Sequence, residues 1–249
     1  MNRALRLLHH TYFCLADPAG FGGTFVDRKR FNDAVFVDPE RRFLFTKNEK
    51  VGNTTARRTL QSLYFGHMLP EHFADTRRWT APMLQPSDLG LTRIEDINTK
   101  VGFKFAIVRN PYARLLSAYL NKIKFQVRRL KKFAGEAGLE GRPEFPDFVR
   151  AVAKQAPQQM NPHWRVQYYN IYCDRIRYDR FVKFENYEAE FSAVLEKFFD
   201  HAKIETAHKR WTHAGDKLAG YYTPELAAIV RDTFARDFDT FGYSPKLDL

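Results

Sequence analysis

The stretch Phe103–Val108 (FKFAIV), followed directly by residues 109–112 (RNPY), decides the fold. Aromatic and β-branched residues at this density favour a buried strand, and a proline just after them suits the first turn of a helix. Two further apolar runs, residues 43–45 (FLF) and 178–184 (YDRFVKF), have the same character. The sequence therefore predicts three buried strands.

Helical patterns follow these runs. Apolar residues recur at helical spacing over residues 56–65, 112–127 and 187–199, and a fourth helix is predicted over 224–238 with Thr223 as its N-cap. Strands that alternate with helices are typical of a parallel α/β sheet, whose ligands lie at the carboxyl ends of the strands. Residues 135–146, rich in glycine and proline, are interpreted as a connection within a single domain over residues 1–249, with its core at about 43–243.

The composition excludes several classes of protein. The chain has 249 residues, 44% of them hydrophobic, so it can bury a core and is not a disordered polyelectrolyte. Two cysteines, Cys14 and Cys173, cannot form a disulfide scaffold. The net charge of +11 favours anionic partners such as nucleic acid, a phosphorylated or sulfated small molecule, an acidic glycan or a membrane surface.

The loop after the first strand has the composition of an anion cradle. Residues 46–55 (TKNEKVGNTT) lead into a helix, and a helix N-terminus offers unpaired N–H groups and a partial positive charge. Gly52 allows the backbone to approach a ligand, Lys50 can reach over it, and the hydroxyls of Thr54 and Thr55 can donate to its oxygens. The alternative is an ordinary capped helix, with Thr54 or Thr55 as N-cap and Lys50 in solvent.

The loop after the second strand supplies another cation at the same edge of the sheet. Arg109 leaves the carboxyl end of the strand, and its guanidinium can bind a phosphate through two parallel hydrogen bonds. Ser117 lies about two turns into the next helix, where its hydroxyl can meet the same phosphate if the helix passes beside it. The alternative is a surface arginine and an ordinary helical serine, but two such loops in one chain favour an anion site.

Five segments resemble motifs of the carbohydrate sulfotransferases, in the same order along the chain. Residues 50–54 (KVGNT) resemble the lysine-centred loop that holds the 5′-phosphosulfate, and residues 109–122 (RNPYARLLSAYLNK) resemble the 3′-phosphate motif. Residues 161–165 (NPHWR), 178–185 (YDRFVKFE) and 237–243 (DFDTFGY) resemble segments of the chondroitin and dermatan 4-O-sulfotransferase branch. The chain departs from the family at Glu49, where proline is usual. The resemblance implies a P-loop-like, three-layer α/β fold with a short central parallel sheet flanked by helices.

The resemblance also implies the donor substrate, 3′-phosphoadenosine 5′-phosphosulfate (PAPS), with 3′-phosphoadenosine 5′-phosphate (PAP) as product. Arg109 and Ser117 are expected at the 3′-phosphate, and no metal is expected. The 5′ end is assigned to Lys50, Val51, Gly52, Asn53, Thr54 and Thr55. Weaker candidates for donor binding are Lys209, Arg210 and Lys217.

Catalysis is expected to need Lys50, for the charge on the leaving phosphate, and a general base. His163 is our first choice, because it lies in the segment that resembles the family, and His72 and His67 are the runners-up. The alternative for His163 is a structural ring that packs beside Trp164.

The expected acceptor is a hydroxyl of a glycan or glycolipid, with anionic glycans included, and no nucleic acid is expected as a partner. The animal enzymes carry a membrane anchor. No apolar run here approaches the ~18 residues of a membrane span and residues 1–13 lack the features of a signal peptide, so we expect a soluble, cytoplasmic, bacterial member of the family. Peripheral contact with a membrane stays open.

Two other functions stay open at this point. A nucleotide-dependent kinase or NTPase fits the order of strand, loop and helix, although the Walker A pattern G-x-x-x-x-G-K-[ST] is absent. A basic nucleic-acid-binding protein fits the charge, although no known DNA- or RNA-binding motif is present.

Overall fold

The computed structural model describes residues 25–66, 83–91, 93–123, 133–135, 138, 143–158, 160–200, 202, 204 and 212–247. Within these residues four strands form one sheet, and their order across the sheet follows their order in the chain. The strands are β1 (Val35–Val37), β2 (Phe43–Thr46), β3 (Phe103–Val108) and β4 (Arg180–Lys183). β2, β3 and β4 are parallel, which confirms the predicted central parallel sheet. β1 pairs antiparallel with β2 and was not predicted, because three residues carry too little periodicity to identify a strand.

Helices and short helical turns connect these strands. The α-helices are α1 (Phe25–Ala34), α2 (Asn53–Phe65), α3 (Ile94–Lys100), α4 (Pro111–Ala118), α5 (Phe145–Ala153), α6 (Gln167–Asn170), α7 (Tyr187–Leu195), α8 (Pro224–Thr233) and α9 (Ala235–Phe241). Turns of 3-10 helix cover Pro86–Leu89, Phe184–Asn186 and Gly215–Gly220, and one turn of π-helix covers Tyr119–Ile123.

The predicted helices differ in part from those observed. The helix predicted over 56–65 begins three residues earlier, at Asn53, and the one predicted over 187–199 ends at Leu195. The helix predicted over 112–127 begins as α4 and continues as the π-helical turn to Ile123, and residues 124–127 lie outside the described part of the chain. The apolar residues Tyr119, Leu120 and Ile123 of the turn are buried, so the apolar pattern does not reveal it. The helix predicted over 224–238 is divided at Phe234 into α8 and α9. Thr223 caps α8 as predicted, since its hydroxyl accepts a hydrogen bond from the N–H of Leu226 at 3.2 Å.

Helices cover both faces of the sheet, as a three-layer fold requires. Alternation along the strands places Phe45 and Phe105 on one face, where they pack with residues of α2 and α7. Leu44 lies on the other face with residues of α1 and α3, and Ala106 contacts Phe241 of α9 there. A further cluster joins α4, α5 and α8.

The topology brings two loops to one edge of the sheet. β2 and β3 are parallel neighbours, with Thr46 level with Ala106, so the segments after Thr46 and after Val108 leave the sheet side by side. The first leads to α2 and the second to α4. Both candidate anion loops therefore lie at the carboxyl edge of the sheet, where α/β proteins bind ligands.

Candidate functional site

Two residues of the loop between β2 and α2 have a left-handed backbone conformation. Lys50 has φ 70° and Gly52 has φ 77°, a conformation that costs a residue with a Cβ about 1–2 kcal/mol. Gly52 is the N-cap of α2, and no side chain caps the helix there, so the structure does not adopt the alternative in which Thr54 or Thr55 is the cap. A Cβ on Gly52 would lie 3.1 Å from the ring of Phe184, so glycine here lets the backbone pass close to that ring.

Lys50 lies in a cationic and partly buried environment. Burial lowers the pKa of Lys50 to about 7, and the positive charges of Lys122 and Arg109 add to the effect. Lys122 comes from the π-helical turn, a structure that occurs often at functional sites. A buried amine surrounded by other cations is stabilised in its charged form when an anion binds beside it.

Arg109 lies against the same loop. One guanidinium nitrogen of Arg109 donates to the carbonyl of Lys50 at 3.2 Å, and the guanidinium stacks over Phe184 at 4.5 Å. Burial lowers the pKa of Arg109 to about 10, while Glu185 and Tyr243 act in the opposite direction. The two predicted cations, from loops 59 residues apart, are therefore neighbours.

Some buried polar atoms of the two loops have no hydrogen-bond partner within the described part of the chain. Among the described residues these include Nε of Arg109 and the side-chain oxygen of Asn53. Buried polar groups in folded proteins are nearly always hydrogen bonded. Nε of Arg109 is a donor and therefore fits a site that an anion completes, whereas the oxygen of Asn53 is an acceptor and needs a donor.

Ser117 is buried, and its hydroxyl accepts a hydrogen bond from that of Thr212 at 3.1 Å. The segment that carries Thr212 is held by Lys217, whose ammonium donates to the carbonyl of Thr212 at 2.9 Å. The negative charge of Asp216, in the same segment, acts on Arg109. The residues near 212–217 thus lie beside the second loop, and a role of Lys217 in donor binding stays a prediction.

His163 lies next to the first loop. Its Nδ1 is 3.7 Å from a carboxylate oxygen of Glu49, and its side chain is 16% exposed. The backbone N–H of His163 donates to the side chain of Asn161 at 3.1 Å. Trp164 is buried and contacts Phe148, so it belongs to the core.

Arg114, which the sequence analysis did not assign, joins the two regions. It is 2% exposed and donates to three backbone carbonyls, those of Glu49 at 2.9 Å, Pro162 at 3.0 Å and Arg165 at 2.7 Å. The arginine was already visible within the segment that resembles the 3′-phosphate motif. Its role is to fix the His163 segment against the Lys50 loop.

A buried amide network, also missed, connects the ends of β2 and β3. The side chain of Gln167 accepts from the N–H of Arg109 at 3.0 Å and donates to its carbonyl at 2.8 Å. The same amide oxygen accepts from Asn48 at 3.0 Å. Asp237 caps α6 by accepting from the N–H groups of Gln167 and Tyr168, and burial raises its pKa to about 6 against the effect of these bonds.

The remaining predicted residues fall into three groups. Val51 is a core residue, so only its backbone can contact a ligand. Thr54 is exposed and Thr55 is buried at the start of α2. His67, His72, Lys209 and Arg210 lie outside the described residues.

The described residues contain neither a cluster of metal ligands nor a membrane-spanning helix. No group of three or more histidine, cysteine or acidic side chains there could hold a metal ion. Likewise, no helix in the described ranges has the length and apolar character needed to cross a bilayer.

Comparison with known proteins supplies the family. Residues 33–244 match the profile of the sulfotransferase family, Sulfotransfer_2. Carbohydrate sulfotransferase 14 of Homo sapiens is 36% identical over 158 residues, which cover 57% of this chain and 42% of the relative. The corresponding protein of Danio rerio is 30% identical over 237 residues, covering 88% and 64%, and carbohydrate sulfotransferase 10 of Xenopus laevis is 25% identical over 249, covering 85% and 67%.

The alignments reach only part of these relatives. The chain spans from about two fifths to two thirds of their length. No solved structure matches it. The family profile covers both loops, the His163 segment and the buried amide network, and the chain therefore belongs to the sulfotransferase family, as a distant homologue of the carbohydrate sulfotransferases.

Proposed function

We propose that the protein transfers the sulfuryl group of PAPS to a hydroxyl of a carbohydrate or glycoconjugate. The observation that carries the proposal is the contact between Arg109 and the Lys50 carbonyl at 3.2 Å, which joins two cationic loops at the carboxyl edge of the sheet. A ligand with two anionic groups fits such a pair of loops, and the sulfotransferase family implies PAPS as that ligand.

The donor is proposed to bind with its 5′-phosphosulfate at the start of α2. Lys50 lies there, and the N-cap position is Gly52, so no side chain of that residue competes with an anion for the N–H groups of the helix. The 3′-phosphate is assigned to Arg109 and Ser117. Nε of Arg109, buried with no partner among the described residues, supplies a donor for it.

The reaction is proposed to be an in-line displacement at sulfur. The acceptor oxygen forms a bond to sulfur while the bond between sulfur and the 5′-phosphate oxygen breaks, and PAP leaves. Lys50 stabilises the negative charge that develops on that phosphate oxygen. The hydroxyl proton passes to His163, a histidine whose ordinary pKa lies near neutral pH.

The acceptor is proposed from the relatives, whose names describe carbohydrate sulfotransferases. A screen with labelled PAPS would compare desulfated chondroitin, desulfated dermatan and bacterial polysaccharides. Label in a carbohydrate product is expected, and label only in a peptide or a small alcohol would contradict this part of the proposal.

Calorimetry with PAP tests the donor site. We expect the wild type to bind PAP at moderate salt and Arg109→Ala to lose this binding. Arg150→Ala, which removes an exposed arginine of α5, is the matched control and should bind as the wild type does. Absence of PAP binding by the wild type would refute the proposal. Hydrolysis of ATP with Mg²⁺ and no response to PAP would favour an NTPase instead.

His163→Ala tests the proposed base. Turnover should be lost while the affinity for PAP stays within about twofold of the wild type, because the ring is assigned to the acceptor side. Near-normal turnover in this variant would remove His163 from the mechanism.

A further inference from the structure

Glu49 immediately precedes Lys50, at a position where the sulfotransferase family usually has proline. Its carboxylate lies beside His163. One carboxylate oxygen of Glu49 is 3.7 Å from Nδ1 of His163, and the other is 2.9 Å from the ammonium of Lys47. The side chains of Glu49 and His163 are only 22% and 16% exposed. At such exposure an ion pair is screened much less by solvent and salt than a pair on the surface.

The backbone fixes the distance between these two side chains. Arg114 donates to the carbonyl of Glu49 at 2.9 Å and, with other nitrogens, to the carbonyls of Pro162 and Arg165, which lie on either side of His163. Because one rigid and buried guanidinium holds both segments, the carboxylate and the imidazole approach each other without the cost of ordering two loops.

The carboxylate remains charged in this position. Burial alone would raise the pKa of Glu49, but the charges of Lys47 and His163 outweigh burial, and the pKa of Glu49 lies below its ordinary value. The groups that face Glu49 are Lys47 and Lys50 from its own loop, His163 from the segment after α5, and Arg114 from α4. Each of them favours a negative charge on Glu49.

From this geometry we infer that Glu49 is a positioning residue for His163. At 3.7 Å the carboxylate is too far from Nδ1 for a direct hydrogen bond, but its charge favours the neutral tautomer that carries its hydrogen on Nδ1, which places the basic lone pair on Nε2. The same carboxylate stabilises the imidazolium that forms when Nε2 accepts a proton. This inference rests on the proposed function, in which His163 is the base. Glutamate at position 49, in place of the proline that is usual in the family, is what creates this Glu–His pair.

Nitrogen NMR of the full-length, ¹⁵N-labelled protein tests the pair directly. The signals of His163 are identified by their loss in His163→Gln. We expect neutral His163 in the wild type to carry its hydrogen on Nδ1, and the midpoint of its titration to move to lower pH in Glu49→Gln. Glu40→Gln, which removes a carboxylate 76% exposed at the turn before β2, is the matched control and should leave both readouts unchanged. An unchanged tautomer and midpoint in Glu49→Gln would overturn the inference.

Kinetics separate positioning from a structural role. With PAPS and desulfated dermatan, Glu49→Gln should lower kcat about 10- to 100-fold, as loss of a carboxylate that orients a metal-ligating histidine does elsewhere. The Kd for PAP should change less than kcat, since Glu49 acts on Lys50 only through its charge. Glu49→Asp, which keeps the charge, should retain more activity than Glu49→Gln. Equal losses of PAP affinity, folding and rate in Glu49→Gln would instead assign a structural role.

The two kinds of failure are distinguishable. The NMR result decides the Glu49–His163 pair with no acceptor present. Failure of the wild type to bind PAP would refute the proposed function and leave the NMR result standing.

Discussion

The low pKa of Lys50 should make the proposed binding of PAP depend on pH. The free protein holds Lys50 at a pKa of about 7, chiefly through burial, with the charges of Lys122 and Arg109 adding to it. A bound 5′-phosphate beside the amine would keep it protonated. Binding therefore takes up a proton above pH 7, and affinity should fall as pH rises.

The magnitude follows from the protonated fraction. With a pKa of about 7, half of Lys50 is charged at pH 7 and about 1% at pH 9, so the Kd for PAP should weaken about 50-fold over this range if the bound amine stays charged. Arg109, with a pKa of about 10, stays mostly charged throughout. A phosphate ester loses its second proton with a pKa near 6, so PAP itself changes little above pH 7.

Calorimetry measures both the affinity and the proton uptake. Titrations at pH 7, 8 and 9, each in two buffers of different ionisation enthalpy, should give nearly one proton taken up at pH 8. Lys50→Met should bind PAP weakly with no such pH dependence. A Kd of the wild type that stays constant from pH 7 to 9, or a variant that keeps the full slope, would refute this account of Lys50.

Three further substitutions test the framework of the site. Arg109→Lys keeps the charge but loses the planar fork, and should weaken PAP binding about 10- to 100-fold by calorimetry, since a charged hydrogen bond contributes about 1.5–3 kcal/mol; an unchanged Kd would count against phosphate binding by Arg109. Gly52→Ala, at φ 77° and with its new Cβ 3.1 Å from Phe184, should lower the free energy of unfolding in urea by about 1–2 kcal/mol, and wild-type stability would show that this turn is relaxed. Arg114→Met leaves three carbonyls without their donor and should lower the free energy of unfolding by at least about 3 kcal/mol in the same assay. A decrease of less than about 1 kcal/mol would contradict the conclusion that Arg114 holds the His163 segment against the Lys50 loop.

Local patterns predicted most of the framework. β3 and its neighbours were identified because aromatic and β-branched residues are concentrated in short runs, and the cap of α8 because Thr223 precedes a proline. The placement of Lys50 and Arg109 at the same edge of the sheet follows from the rule that parallel neighbours end at one edge, whereas the direct contact between them is visible only in the structure. Each of these features depends on a few adjacent residues.

The missed features depend on contacts between distant residues. Gln167 pairs with Arg109 across 58 positions and Asp237 caps a helix 70 positions away, so no local window contains both partners. Glu49 was noticed only as a departure from the family, because its relation to His163 arises from folding. The division of the last helix at Phe234 leaves the spacing of its apolar residues almost unchanged.

The amide pair between Gln167 and the backbone of Arg109 has a consequence for how a donor would be received. Neither loop can swing outward without stranding several hydrogen-bonding groups in a dry interior, so their mutual placement is set when the chain folds. The entropic cost of ordering these two loops is therefore part of folding and not of nucleotide binding, so more of the contact energy contributes to affinity. Whatever must still move during turnover belongs to other segments than the ends of β2 and β3.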